Sequence, residues 1–167
     1  MEKFQELRES AKKRITVADH MLVITYPMVK DPRLLITIIE NLFLAMTSSM
    51  GSVLHYDLLF KRVPLFNDNF EDKFRLFKDE CAKRYSINQE HLALLREIKD
   101  IIVAHKKSPV EFSRQDRFII CNGSYKMKTI SISQLKMNIE KAKEFIEVNN
   151  NIVNKDEHIF KNERIII

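Results

Sequence analysis

Apolar side chains recur at spacings of three and four over most of the chain and shift to a shorter period in one late segment. Phe4, Leu7, Ala11, Ile15, Ala18, Met21 and Leu22 mark one face of an amphipathic helix predicted over residues 2–25, ending before Tyr26-Pro27. Asp31-Pro32 then supplies a capping carboxylate and a proline at the first helical position, where its missing N–H costs nothing. The helix that follows is predicted to reach about Arg62, and between Leu34 and Phe60 its only charged residues are Glu40 and Asp57. A bilayer span needs about 20 predominantly apolar residues. Here Glu40-Asn41 and the polar middle, Thr47-Ser48-Ser49 with Gly51-Ser52, interrupt the run. The pattern therefore predicts the central helix of a bundle rather than a membrane span, with a kink near Ser48 to Gly51. A carboxylate buried on such a helix needs a partner, so Glu40 is expected to meet a basic side chain from the first or last helix.

Pro64 marks a loop over 63–68, after which Asn69 is expected to cap a third helix through Tyr85, with Phe70, Phe74, Phe77 and Cys81 on one face. Ser86-Ile87-Asn88-Gln89 has capping-box spacing and opens a fourth helix through Leu92, Leu95, Ile98 and Ile102 to about His105, closed by Ser108-Pro109. The period then changes. Phe118 to Cys121, Asn122-Gly123 and Tyr125 to Ile130 form the pattern of a β-hairpin with a tight turn, predicted at about 118–130. Ser131 and Gln134 begin a last helix through Ile139, Ala142, Ile146 and Ile152. The expected fold is mainly all-α: an antiparallel bundle of about five helices with one small β-hairpin, one domain over 1–154 and a C-terminal tail over 155–167.

Composition narrows the chemistry. Two glycines, Gly51 and Gly123, leave no phosphate-wrapping loop, and two cysteines, Cys81 and Cys121, form no CxxC pair. His20 beside Asp19, and His55 near Asp57, match no metal-ligand spacing, and there is no GxSxG element. Neither a metal nor a cofactor is expected. The first residues, Glu2, Lys3, Glu6, Arg8 and Glu9, do not read as a secretory signal, and a cytoplasmic location is expected.

The net charge of +5 is concentrated: residues 105–128 hold six basic and two acidic side chains. Lys106, Lys107, Arg114, Arg117, Lys126 and Lys128 interleave there with Phe112, Phe118 and Tyr125, a mixture suited to single-stranded nucleic acid through phosphate pairing and base stacking. Upstream lie His105, Lys99 and Arg96, candidates for acid–base chemistry and oxyanion stabilisation. A basic helix end favoured by the macrodipole explains the same residues without any ligand.

The helix order and the segments "IIENLFLAMTSSMGSVLHY", "FNDNFEDKFRLF", "LLREIKDIIVAH" and "KAKEFIEVNNNIV" resemble the HEPN superfamily of small helical bundles over about residues 31–154. The resemblance implies a four- or five-helix bundle, often homodimeric, and either ribonuclease activity or partnership with a nucleotidyltransferase in toxin–antitoxin systems. The family's catalytic mark is an arginine followed, after four to six residues, by histidine. Arg96 is separated from His105 by eight residues, and the position separated by five is Lys99, which lacks the planar fork of arginine. The expectation is a domain that binds single-stranded RNA or a nucleotide without full nuclease activity. If it is catalytic, it would be a metal-independent ribonuclease. The alternative is a homo- or hetero-oligomeric interaction module with no chemistry of its own.

Overall fold

The computed structural model describes residues 1–107, 110–113, 117–121 and 127–155. Five helical rods are present among the described residues. The first comprises α1 (Lys3–His20), a π-helical turn (Met21–Thr25) and α2 (Tyr26–Val29). The second is α3 (Arg33–Leu59). The third joins α4 (Phe70–Leu76), a second π-helical turn (Phe77–Cys81) and α5 (Ala82–Arg84). The rods α6 (Gln89–Lys107) and α7 (Ile132–Asn154) complete the bundle.

The first rod does not end before Tyr26-Pro27, as its sequence suggests. In an α-helix the Val23 carbonyl would wait for an N–H that Pro27 lacks. The chain widens instead by one residue, so that the Tyr26 N–H bonds to the Met21 carbonyl, and the helix continues to Val29. Lys30 closes it in a left-handed conformation, φ 51°, with its N–H on Tyr26 O at 2.7 Å.

Helix α3 is the central rod and buries residues on nearly every side, from Leu35 to Asp57. It is also the one helix among the described residues long and apolar enough to cross a bilayer, and 56% of its most apolar window is buried inside the bundle. At its start, Asp31 Oδ1 accepts the Arg33 N–H at 3.0 Å, the expected capping role. The small-residue middle lies within one unbroken helix. It is where α1 comes close: a Cβ on Gly51 would stand 3.2 Å from Leu7 Cδ1, and Ser52 Oγ donates to the Phe4 carbonyl at 2.8 Å.

Glu40 is exposed rather than buried and pairs with no base from α1 or α7, which corrects the sequence expectation. Its neighbour Asn41 takes the buried position, receiving Arg14 Nη1 at 3.2 Å and donating to the Thr37 carbonyl at 3.0 Å. The buried carboxylate is Asp57, 0% exposed. It accepts from Arg84 Nη1 at 2.6 Å, Tyr85 Oη at 2.5 Å, Arg62 Nη1 at 3.4 Å and Cys81 Sγ at 3.3 Å, tying the end of α3 to the third rod. Such saturation is what makes a buried charge tolerable.

Asn69 caps α4 by accepting the Asp72 N–H at 2.9 Å, as its position predicts. The cap of α6 is Asn88, whose Oδ1 accepts the Glu90 N–H at 2.9 Å, rather than Ser86, which adopts φ 53°. Ser131 caps α7 by accepting the Gln134 N–H at 3.3 Å, while the Gln134 side chain reaches Glu97 on α6.

The expected hairpin is present as β2 (Arg117–Cys121) and β3 (Met127–Ser131), with a third strand, β1 (Val110–Ser113), added antiparallel to β2. Its Asn122-Gly123 turn and the tail beyond Lys155 lie outside the described residues. Phe118, Ile120 and Ile130 are buried, so one face of the sheet rests on the bundle.

Candidate functional site

Arg33, Ile36, Thr37 and Glu40 recur at i, i+3, i+4 and i+7, one stripe of the first turns of α3. That stripe forms one wall of a cleft of about 470 Å³, and His105, Glu111 and Phe118 form the other. His105 sits in the last turn of α6, and its ring meets Phe118 edge-on at 6.4 Å. Glu111 pairs with Ile120 across β1 and β2, so its side chain shares the bundle-facing row.

His105 Nδ1 lies 2.6 Å from Glu111 Oε1. An ionised carboxylate can only accept, so Nδ1 carries the proton and Nε2 is left as the nitrogen that can exchange one with a ligand. Arg33 faces the same cleft, and its Nε and Nη2 bind the Asp31 carboxylate, holding that carboxyl below its usual range. The lining is mixed in charge, with Arg33 set against Glu40 and Glu111. A ligand carrying anionic and hydrogen-bond-donating groups together suits it better than a bare polyanion.

Arg96 and Lys99 do not join His105. Nine residues at about 100° each place Arg96 roughly half a turn away from His105 around α6, and Lys99 is about a third of a turn away. Arg96 is bound through both terminal nitrogens to Glu71, at 2.9 and 2.8 Å, and lies over the rings of Phe70 and Phe74. That contact holds the Glu71 carboxyl below its ordinary value. Lys99 Nζ lies 5.4 Å from the Phe43 ring and 5.2 Å from Phe70. Both cations join α6 to the third rod through aromatic faces, and of the three candidate acid–base residues only His105 reaches the cleft.

The basic candidates divide as well. Lys106 and Lys107 are exposed on the last turn of α6, beside His105. Arg117 and Lys128 are exposed, but the register pairs Arg117 with Ser131 and Lys128 with Ile120, which puts them on opposite faces of the sheet. Arg114 and Lys126 lie outside the described residues. Sequence reasoning missed Arg33, Glu40 and Glu111 as neighbours of His105. The α3 stripe was legible as a spacing, whereas the approach of Glu111 required β1.

Among the described residues no group of three or more histidine, cysteine and acidic side chains could hold a metal ion. No protein-family model matches the chain, and a search of curated proteins finds no match.

Proposed function

We propose that this chain is an HEPN-like helical domain that binds single-stranded RNA or a nucleotide at the cleft between α3, the end of α6 and the sheet. The observation that carries the reading is the His105–Glu111 pair, an imidazole oriented by a carboxylate in a cleft that also holds an arginine. Arg33, with Lys106 and Lys107 at the helix end, would take phosphate. Glu40 would accept from the amino edge of a base. The five-rod bundle and its helix order agree with the fold that the resemblance implies. The departure from the arginine-to-histidine spacing supports binding as the main activity, with any cleavage running through His105 as general base and no metal.

The test is fluorescence anisotropy with a labelled single-stranded RNA. Binding should weaken steeply with salt, and neutralising Arg33, Lys106 and Lys107 together should lower affinity at least about tenfold. The same change should flatten the salt slope by about two, since each phosphate contact on a single strand contributes roughly 0.7. His105→Ala should abolish any cleavage, and Glu111→Gln should reduce it. Arg96→Ala should leave binding unchanged. RNA affinity indifferent to the three neutralised cations would sink the proposal.

A further inference from the structure

A second concavity, of about 300 Å³, lies on another part of the bundle, between the π-turn with α2 on one side and the first turns of α7 on the other. Val23, Tyr26, Pro27 and Ile132 give it a largely apolar lining, and Lys30 and Lys136 also line it. Val23 on the π-turn is 54% exposed, and Met28 and Val29 on α2 are 81% and 59% exposed. Among the described residues, neither Lys30 nor Lys136 makes an ion pair. The carboxylates beside them in the chain are committed elsewhere: Glu140, four residues after Lys136, to Lys143, and Asp31, next to Lys30, to Arg33.

We infer that this groove docks an acidic amphipathic helix of a partner protein, its apolar anchors seated on Val23, Pro27 and Ile132 and its carboxylates meeting Lys30 and Lys136. The charge complementarity selects the partner's chemistry. Two unpaired cations beside an apolar floor favour a ligand with carboxylates flanking large apolar side chains, the pattern of helix-in-groove recognition. The size agrees. Pockets for whole small ligands run from about 300 to 1,000 Å³, so this one sits at the lower limit and suits the anchor side chains of a helix whose remainder lies outside. The inference is independent of the His105 cleft, because none of its residues lines both concavities.

A display library of amphipathic helical peptides, selected against the full 167-residue chain, tests it. Enriched peptides should carry leucine, isoleucine or phenylalanine at i and i+3 or i+4, with aspartate or glutamate between them. Their affinity should fall at least tenfold on Lys30→Glu with Lys136→Glu, and again on Val23→Asp. All three positions are exposed, so a native circular dichroism spectrum is expected for each variant. Enrichment without acidic residues, binding unchanged by the substitutions, or no enrichment would each overturn the inference. So would loss of single-stranded RNA or phosphatidylserine-vesicle binding on Val23→Asp, which would assign the groove to nucleic acid or membrane. RNA binding that depends on Arg33, Lys106 and Lys107 and not on Val23 leaves the two sites separable.

Discussion

Arg84 Nη1 donates to the Asp57 carboxylate across 2.6 Å, and its Nη2 donates to the Arg62 carbonyl at 3.1 Å, so one guanidinium satisfies both a buried charge and the chain just past α3. Removing one partner of a buried ion pair strands the other charge, which typically costs about 3–5 kcal/mol. Arg62, Tyr85 and Cys81 also serve Asp57, so Arg84→Ala should lose on the order of 3 kcal/mol, toward the lower end of that range. Arg84→Lys keeps the charge and should recover part of it. Urea unfolding measures both, and a loss for Arg84→Ala well under about 1 kcal/mol would show that the other three partners suffice.

The same network makes stability sensitive to alkali through Tyr85. Burial, and then its hydrogen bond to Asp57, push the phenol up to about 12 from an ordinary value of 10.0. A group whose pKa is raised by folding contributes stability that is complete below its unfolded pKa and is lost as pH climbs through its folded one. Unfolding midpoints should therefore fall between about pH 10 and about pH 12. Tyr85→Phe should be less stable at pH 7 yet show a shallower alkaline decline. Ultraviolet titration of tyrosinate should lose its latest component in that variant.

Cys81 and Cys121 should separate cleanly by reactivity. Burial, followed by the charge of Asp57, drives the Cys81 thiol far above its usual range, so little nucleophilic thiolate exists in the folded chain. Cys121 is half-buried in β2. Ellman's reagent should find one accessible thiol in native buffer and two in denaturant, and Cys121→Ser should remove the native one. Rapid modification of Cys81 in native buffer would mean that the Asp57 cluster opens readily.

Gly51 sits mid-helix where alanine would ordinarily gain about 1 kcal/mol. An added methyl meets only the tip of Leu7, a half-buried side chain, at 3.2 Å. Gly51→Ala should consequently stay within about 1 kcal/mol of the parent. Gly51→Leu should lose about 1–3 kcal/mol by wedging α1 from α3. Thermal unfolding of the two variants checks the close approach, since open space beside Gly51 would tolerate both.

Much of the architecture is local physics and could be read from the chain. The three- and four-residue spacing placed all five rods. Asp31, Asn69 and Ser131 marked helix starts because a short polar side chain before an apolar run satisfies backbone donors that the helix leaves open. Phe118 to Ile130 announced two strands for a similar reason, a change of period around a turn pair. Pro27 was misleading, because proline reads as a stop unless the helix can widen, and nothing local says whether it will. β1 was too short, and too polar at Glu111 and Ser113, to stand out beside a proline.

What tertiary structure alone decided is which charged residues meet. Glu40 and Asp57 looked alike as isolated carboxylates on one apolar helix, yet the first lies in an open cleft and the second is sealed beneath two arginines, a tyrosine and a thiol. Arg96, Lys99 and His105 are close in sequence but divided by the pitch of α6. Glu111 reaches His105 only because β1 folds back along β2. Helix periodicity and caps depend on neighbours a few positions away, and so are written in the sequence. The partners of a charge come from whichever elements pack beside it, and that is settled only when the bundle closes.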